Sequence, residues 1–174
     1  MSGRCHRQDR LRDSVRRRWE AVAARLRENR AQVVAFARSV PAEAWERPSP
    51  LDGWRCKDLL AHIGKGNDQI FQQVLRMVVA GNPIDTSIFK ADTDEANARE
   101  VGVRRGRSPD AIIAEAEGAG EEVQEQLSQL RDEHEHFRQK DPPFILKTFL
   151  EFVLKESHDL EHLAQLRAAL EGAS

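Results

Sequence analysis

Apolar side chains in this chain return with the spacing of a helix and almost nowhere with the alternation of a strand, and that periodicity restricts the fold more than any other feature. From Leu11 they recur as Val15, Trp19, Val22, Leu26, Val33 and Ala37, in steps of three, four and seven that share one helical face. The spacing predicts a first helix running to about Ser39. Pro41, Pro48, Pro50 and Gly53 then break the pattern into a loop, with Trp45 and Trp54 as packing anchors. A second stripe (Leu59, Leu60, Ile63, Ile70, Phe71, Val74, Leu75 and Val78) stops at Gly81-Asn82-Pro83, residue types that end helices.

Residues 82–107 are polar and read as a crossover, with a weak helical pattern near Asp94 to Arg104. Ser108-Pro109-Asp110 supplies an N-cap, a proline at the first helical position and an acid in the first turn, so a third helix is expected from there through Leu130. Pro142-Pro143 opens a fourth, in which Leu146, Leu150, Val153 and Leu160 form a stripe that Phe149, Phe152, Leu163, Leu166 and Leu170 widen. Tyrosine is absent, β-branched residues are sparse and no alternating run is present, so no strand is expected. Four amphipathic helices pack most economically as an all-α four-helix bundle around one core, here a single domain over residues 8–172. The long crossover lets helices two and three run parallel, an up-down-down-up order.

Composition narrows the function without naming it. Basic and acidic residues nearly balance, 27 against 29, so the chain is not built mainly to neutralise nucleic-acid phosphates. No apolar run approaches the ~18 residues of a membrane span, and no secretory leader is evident, so a cytoplasmic protein is expected. Cys5 and Cys56 are too few for a disulfide framework. Seven arginines crowd residues 4 to 18 (Arg4, Arg7, Arg10, Arg12, Arg16, Arg17 and Arg18), yet helical apolar spacing runs through them, and a solvated face or a subunit contact is the better reading than nucleic-acid binding.

Chemistry concentrates in the histidines. His158 and His162 are four apart, so their rings leave one helical face a turn apart, within reach of a common ion. His62, at the edge of the second stripe, is the obvious third ligand if helices two and four are neighbours. Three imidazoles leave a coordination position open, as a catalytic metal requires. The bland alternative is two polar interface residues at HxxxH spacing. His158 to His162 also fits H-x-x-E-H, a zinc-peptidase pattern, but only 12 residues follow His162 and no sheet-lined cleft is expected. His134 and His136 lie among acids and are expected to be exposed. Cys56 is expected to be an inert buried thiol, and Gly64 and Gly66 follow no strand, so they form no phosphate loop.

Two stretches carry a family resemblance. Gly53-Trp54-Arg55-Cys56-Lys57-Asp58-Leu59-Leu60-Ala61-His62-Ile63 resembles the helix entry of the DinB-like superfamily, in which a Gly-Trp pair precedes a helix bearing a metal-binding histidine. Ser157-His158-Asp159-Leu160-Glu161-His162-Leu163-Ala164-Gln165-Leu166-Arg167 is similar to its closing helix, with two further ligands at HxxxH spacing. The resemblance implies the bundle derived above, a divalent ion on His62, His158 and His162, either Zn²⁺ or Ni²⁺, and a homodimer. It further implies a metal-dependent enzyme acting on a small molecule, through transfer or isomerisation with a low-molecular-weight thiol cosubstrate or through hydrolysis. A non-catalytic helical interaction or metal-binding module is the alternative. One departure stands out: Arg55 occupies a position usually Ser or Thr, so the capping box with Asp58 is expected to be lost, leaving Asp52 to cap or the helix start to fray. Asp58, Asp159 and Glu161 are candidates to orient the histidines, against the plainer reading of solvated acids.

Overall fold

The computed structural model describes residues 5–89, 93–131, 133–134, 137–141, 143–155 and 158–171, with the side chains of 5–18, 65–68, 89, 93 and 154–155 left aside. The first chain segment is one long helix, α1 (Cys5–Ser39), with Trp19, Val22, Val33 and Ala37 buried as the spacing requires. Leu11, Val15 and the arginines of residues 4 to 18 fall outside the described side chains. The loop that follows is folded back on itself: the Ser49 N–H donates to the Trp54 carbonyl and the Cys56 N–H to the Arg47 carbonyl, each at 2.8 Å. Gly53 makes the reversal possible with φ of 72°, a conformation costly to any side chain with a Cβ. Trp45, only 1% exposed, anchors the loop in the core.

The second segment is helical but interrupted in register. It comprises α2 (Cys56–Ala61), a widened π-turn over His62–Gly66, and α3 (Asn67–Val79), closed by Gly81 at φ of 67°. The crossover carries a 3-10 turn (Thr86–Phe89) and α4 (Thr93–Arg104). Arg104 is 4% exposed and fastens α4 to the bundle, meeting Glu100 and Glu115 at 2.9 Å each. The third segment, α5 (Pro109–Ser128), starts as expected, the Ala111 N–H donating to the Ser108 hydroxyl at 3.2 Å.

The fourth segment departs from a single helix opened by Pro142-Pro143. An antiparallel strand pair comes first, β1 (Arg138–Gln139) with β2 (Phe144–Ile145), registering Arg138 on Ile145 and Gln139 on Phe144. Helix then begins at Leu146 and is described over α6 (Leu146–Lys155) and α7 (His158–Glu171). Two-residue strands lie below the length at which alternation can be read, and the Gln139 side chain secures them by donating to the Ile84 carbonyl and accepting the Ile84 N–H.

The whole is an all-α four-helix bundle in up-down-down-up order: α1, α2 with α3, α5, and α6 with α7. Its interior is not one continuous apolar mass. One cluster gathers Trp19, Val22, Phe71, Leu75, Val123 and Leu150. The other gathers Val33, Trp45, Leu60, Ile63, Ile112 and Leu166. On α1 the change from one to the other falls across Asn29 and Arg30, both buried, and on the second segment His62 and Gln72 are the buried polar residues near the same change. A buried leucine contributes roughly 1.5–3 kcal/mol, so giving interior positions to polar groups forfeits stability unless they are paired or used. Among the described residues, no helix is long and apolar enough to cross a membrane.

Candidate metal centre

The loop-to-helix entry brings His62 into the bundle. Arg55 does not abolish the cap of α2: the Asp58 carboxylate accepts the Arg55 N–H at 3.0 Å, the half of a capping box that an acid at this position supplies. The other half needs an acceptor at residue 55, and a guanidinium has none. The Arg55 guanidinium turns instead onto Asp58, at 3.1 and 3.2 Å, and onto Glu46 at 2.6 Å. The expectation of a frayed start or a cap from Asp52 is thereby corrected. Asp58 is 1% exposed; burial alone would raise its pKa, but hydrogen bonds from Arg55 and the charge of Arg105 outweigh that and hold it below the usual carboxylate range. Its carboxylate is thus held by arginines, and it meets His62 through the backbone, the His62 N–H donating to the Asp58 carbonyl.

One turn on, His62 is 5% exposed and meets the closing helix. Its Nε2 lies 3.2 Å from Nε2 of His158, which lies 3.1 Å from Nε2 of His162. The rings pack edge to face, with centroids 5.0 Å apart for His62 with each partner and 4.4 Å for His158 with His162. The half-buried Trp54 closes one side, its ring 5.5 Å from that of His62, so the Gly-Trp pair does more than anchor the loop. The donor atoms of the three histidines lie within 4.8 Å of one another, and among the described residues no fourth histidine, cysteine or acid joins them.

The surroundings fix the outer nitrogens unevenly. His162 Nδ1 is 2.8 Å from the Gln165 side-chain oxygen, a partner the sequence reading missed although the three-residue step puts both on one helix face. His158 Nδ1 faces Asp159 at 3.6 Å, consistent with an orienting role for that acid. Glu161 is exposed and adds only the weakest of the charges that raise the affinity of His162 for a proton. Buried His62 Nδ1 has no partner among the described residues. Burial, then the charges of His158 and His162, push the pKa of His62 down to about 4. Burial also lowers that of His162, against the hydrogen bond to Gln165.

Such a cluster is poor as a hydrogen-bond network and good as a cation site. A neutral imidazole offers either one hydrogen or one lone pair at Nε2, so His158 cannot be well matched to two ring nitrogens at once. With all three lone pairs turned to a cation, each Nδ1 keeps its hydrogen, which His162 donates to Gln165. Coordination at ~2.0–2.1 Å places neighbouring nitrogens ~2.9–3.4 Å apart, and the observed 3.1 and 3.2 Å fall inside that range. The three histidines fit a divalent ion.

Other candidates stay outside this centre. Cys56 is fully buried, its thiol pKa raised by burial and its Sγ 3.6 Å from the Pro48 carbonyl, an inert setting. His134 is half-buried rather than exposed and accepts the Arg131 N–H at 2.8 Å, while His136 lies outside the described residues.

Comparison with known proteins agrees with the bundle and its entry motif. Residues 26–143 match the family described as the mycothiol maleylpyruvate isomerase N-terminal domain, and the chain belongs to that family, a branch of the DinB-like superfamily. Two solved structures are similar in fold at a TM-score of 0.66: the mycothiol-dependent maleylpyruvate isomerase, at 15% identity, and a variant of it with one histidine changed to alanine, at 14%. Each match covers 85% of this chain, and the chain spans only 60% of the length of either. No curated protein sequence matches the chain significantly.

Proposed function

We propose that this protein is a divalent-metal-dependent enzyme whose ion is held by Nε2 of His62, His158 and His162. The observation that carries this reading is the convergence of three ring nitrogens from two distant segments, 3.1 and 3.2 Å apart, where the two apolar clusters of the bundle give way to polar residues. An ion there would supply acidity, allowing a thiol to persist as thiolate, or a water as hydroxide, at neutral pH. The chain's own residues do the rest. Gln165 and Asp159 set the ring orientations of the closing helix, burial keeps His62 neutral and its lone pair available, and Trp54 shields that ring from water.

Because family members bear the name of a mycothiol-dependent isomerase, the favoured reaction is transfer or isomerisation that uses a low-molecular-weight thiol on a small electrophilic substrate, with hydrolysis as the sibling chemistry. Zn²⁺ and Ni²⁺ both suit imidazole ligands. The cytoplasm, where such thiols stay reduced, is the matching compartment, and a homodimer the matching assembly, which light scattering would test. A purely structural clamp would need a fourth protein ligand, and the group has three among the described residues.

Elemental analysis of protein purified without added metal tests the reading directly. Near-stoichiometric zinc or nickel is expected, lost in His158→Ala with little change in stability of the metal-free protein, followed by thiol transfer in the loaded form. Absence of metal, or full retention of it in His158→Ala, would refute it.

A further inference from the structure

Arg30 is 9% exposed, beside buried Asn29 in α1, although Arg25, Arg27 and Glu28 just before it lie exposed. Its side chain meets each of the other three segments of the bundle. One guanidinium nitrogen donates to the Ile63 carbonyl at 3.3 Å, inside the π-turn and one residue from His62. A second lies 3.6 Å from Oδ2 of Asp159, whose Oδ1 faces His158 Nδ1 at 3.6 Å. Its stem lies against α5 at Gly120, where a Cβ would come within 3.2 Å of the Arg30 Cγ. The fork of a guanidinium can serve two acceptors in fixed directions at once, which an ammonium on a flexible stem cannot.

We propose that Arg30 is a positioning residue of the histidine centre, a strut that sets the distance between the π-turn bearing His62 and the helix bearing His158 and His162. The geometric claim stands on these contacts alone; its consequence for metal binding rests on the function proposed above. A strut matters because, besides the approach of the rings themselves, the two ring-bearing pieces meet through packing, and packed helices slide by an ångström or two at little cost. Partners behind the ligands in metal sites typically carry 10–100-fold of affinity. Gly120 is part of the device, since its missing Cβ leaves room for the arginine stem.

The test compares the parent with Arg30→Lys, Arg30→Met and Gly120→Ala by two readouts. In metal-free protein, nuclear Overhauser contacts between the ring protons of His62 and His158 are expected in the parent, weakened in Arg30→Lys and lost in Arg30→Met. By zinc titration, affinity is expected to fall 10–100-fold in Arg30→Met and by less in Arg30→Lys. In Gly120→Ala it falls too, because the added Cβ presses on the arginine stem. Should Arg30→Met keep the ring contacts and bind zinc within threefold of the parent, Arg30 only packs and the proposal is overturned. Should Arg30→Met fail to fold, Arg30→Lys and Gly120→Ala decide by the same two readouts, parent-like values in both overturning it. If the parent itself binds no zinc, the function proposed above fails, and the ring contacts alone still decide whether Arg30 sets the separation.

Discussion

His62 shows how one buried ring converts position into pH dependence. Folded, it takes up a proton only near pH 4; unfolded, near its ordinary 6.5. Between those values the unfolded chain binds more protons, so stability is full above about pH 6.5 and declines as the pH falls towards 4. The size approaches about 3 kcal/mol for metal-free protein, at ~1.36 kcal/mol for each unit of pKa. Denaturant unfolding of the metal-free parent and of His62→Gln across that range should show the decline in the first and a flatter profile in the second; superimposable profiles would contradict the assignment to His62. Because the folded His62 ring takes up a proton only near pH 4, proton competition there should weaken zinc binding only as the pH approaches that value. The three histidines were legible in the sequence because an HxxxH step and a Gly-Trp helix entry are local patterns. Arg30 was not: an arginine on an arginine-rich helix looks solvated, and only the approach of three other segments shows it buried.

Elements are joined here by devices that spacing alone conceals. Ile63 is fully buried, but Ile70, seven residues on, is 39% exposed and Phe71, eight on, is buried, so the extra residue of the π-turn at His62–Gly66 moves the face by one, a shift the spacing hides because Ile70 is apolar too. The role of the turn can be tested by deleting Lys65. Removing the extra residue lets the turn close as ordinary helix with Phe71, Val74, Leu75 and Val78 still facing the core, so the fold should survive while His62 and the Ile63 carbonyl shift against the closing helix and zinc affinity falls. A deletion variant that binds zinc like the parent would contradict the role. The start of α2 differs from expectation for a chemical reason. A missing hydroxyl at residue 55 suggests a missing cap, whereas Asp58 caps without it and recruits the Arg55 guanidinium as well. Asp58→Ala leaves Arg55 facing a gap in a buried place and removes the cap, so about 2–4 kcal/mol should be lost in urea titrations. A loss under 0.5 kcal/mol would make the pairing ornamental. The strand pair was illegible because two residues are too few to show a period.

At the scale of the whole molecule, the bundle and its chain order followed from four stripes and one long crossover, because burying an amphipathic face leaves few alternatives. What the stripes did not show is that the interior divides where Arg30 and His62 lie. Each apolar cluster draws on α1, on the second segment, on α5 and on the closing segment or its lead-in strand, so neither half is a local unit of sequence. Two apolar clusters separated by a polar seam need not open together. Amide exchange on metal-free protein should therefore resolve two opening free energies, one for the Trp19–Leu75–Leu150 side and one for the Trp45–Ile112–Leu166 side. A cation seated at the seam rivets them, merging the two into one cooperative transition, so the same ion proposed for chemistry would also decide whether the protein behaves as one folding unit or two.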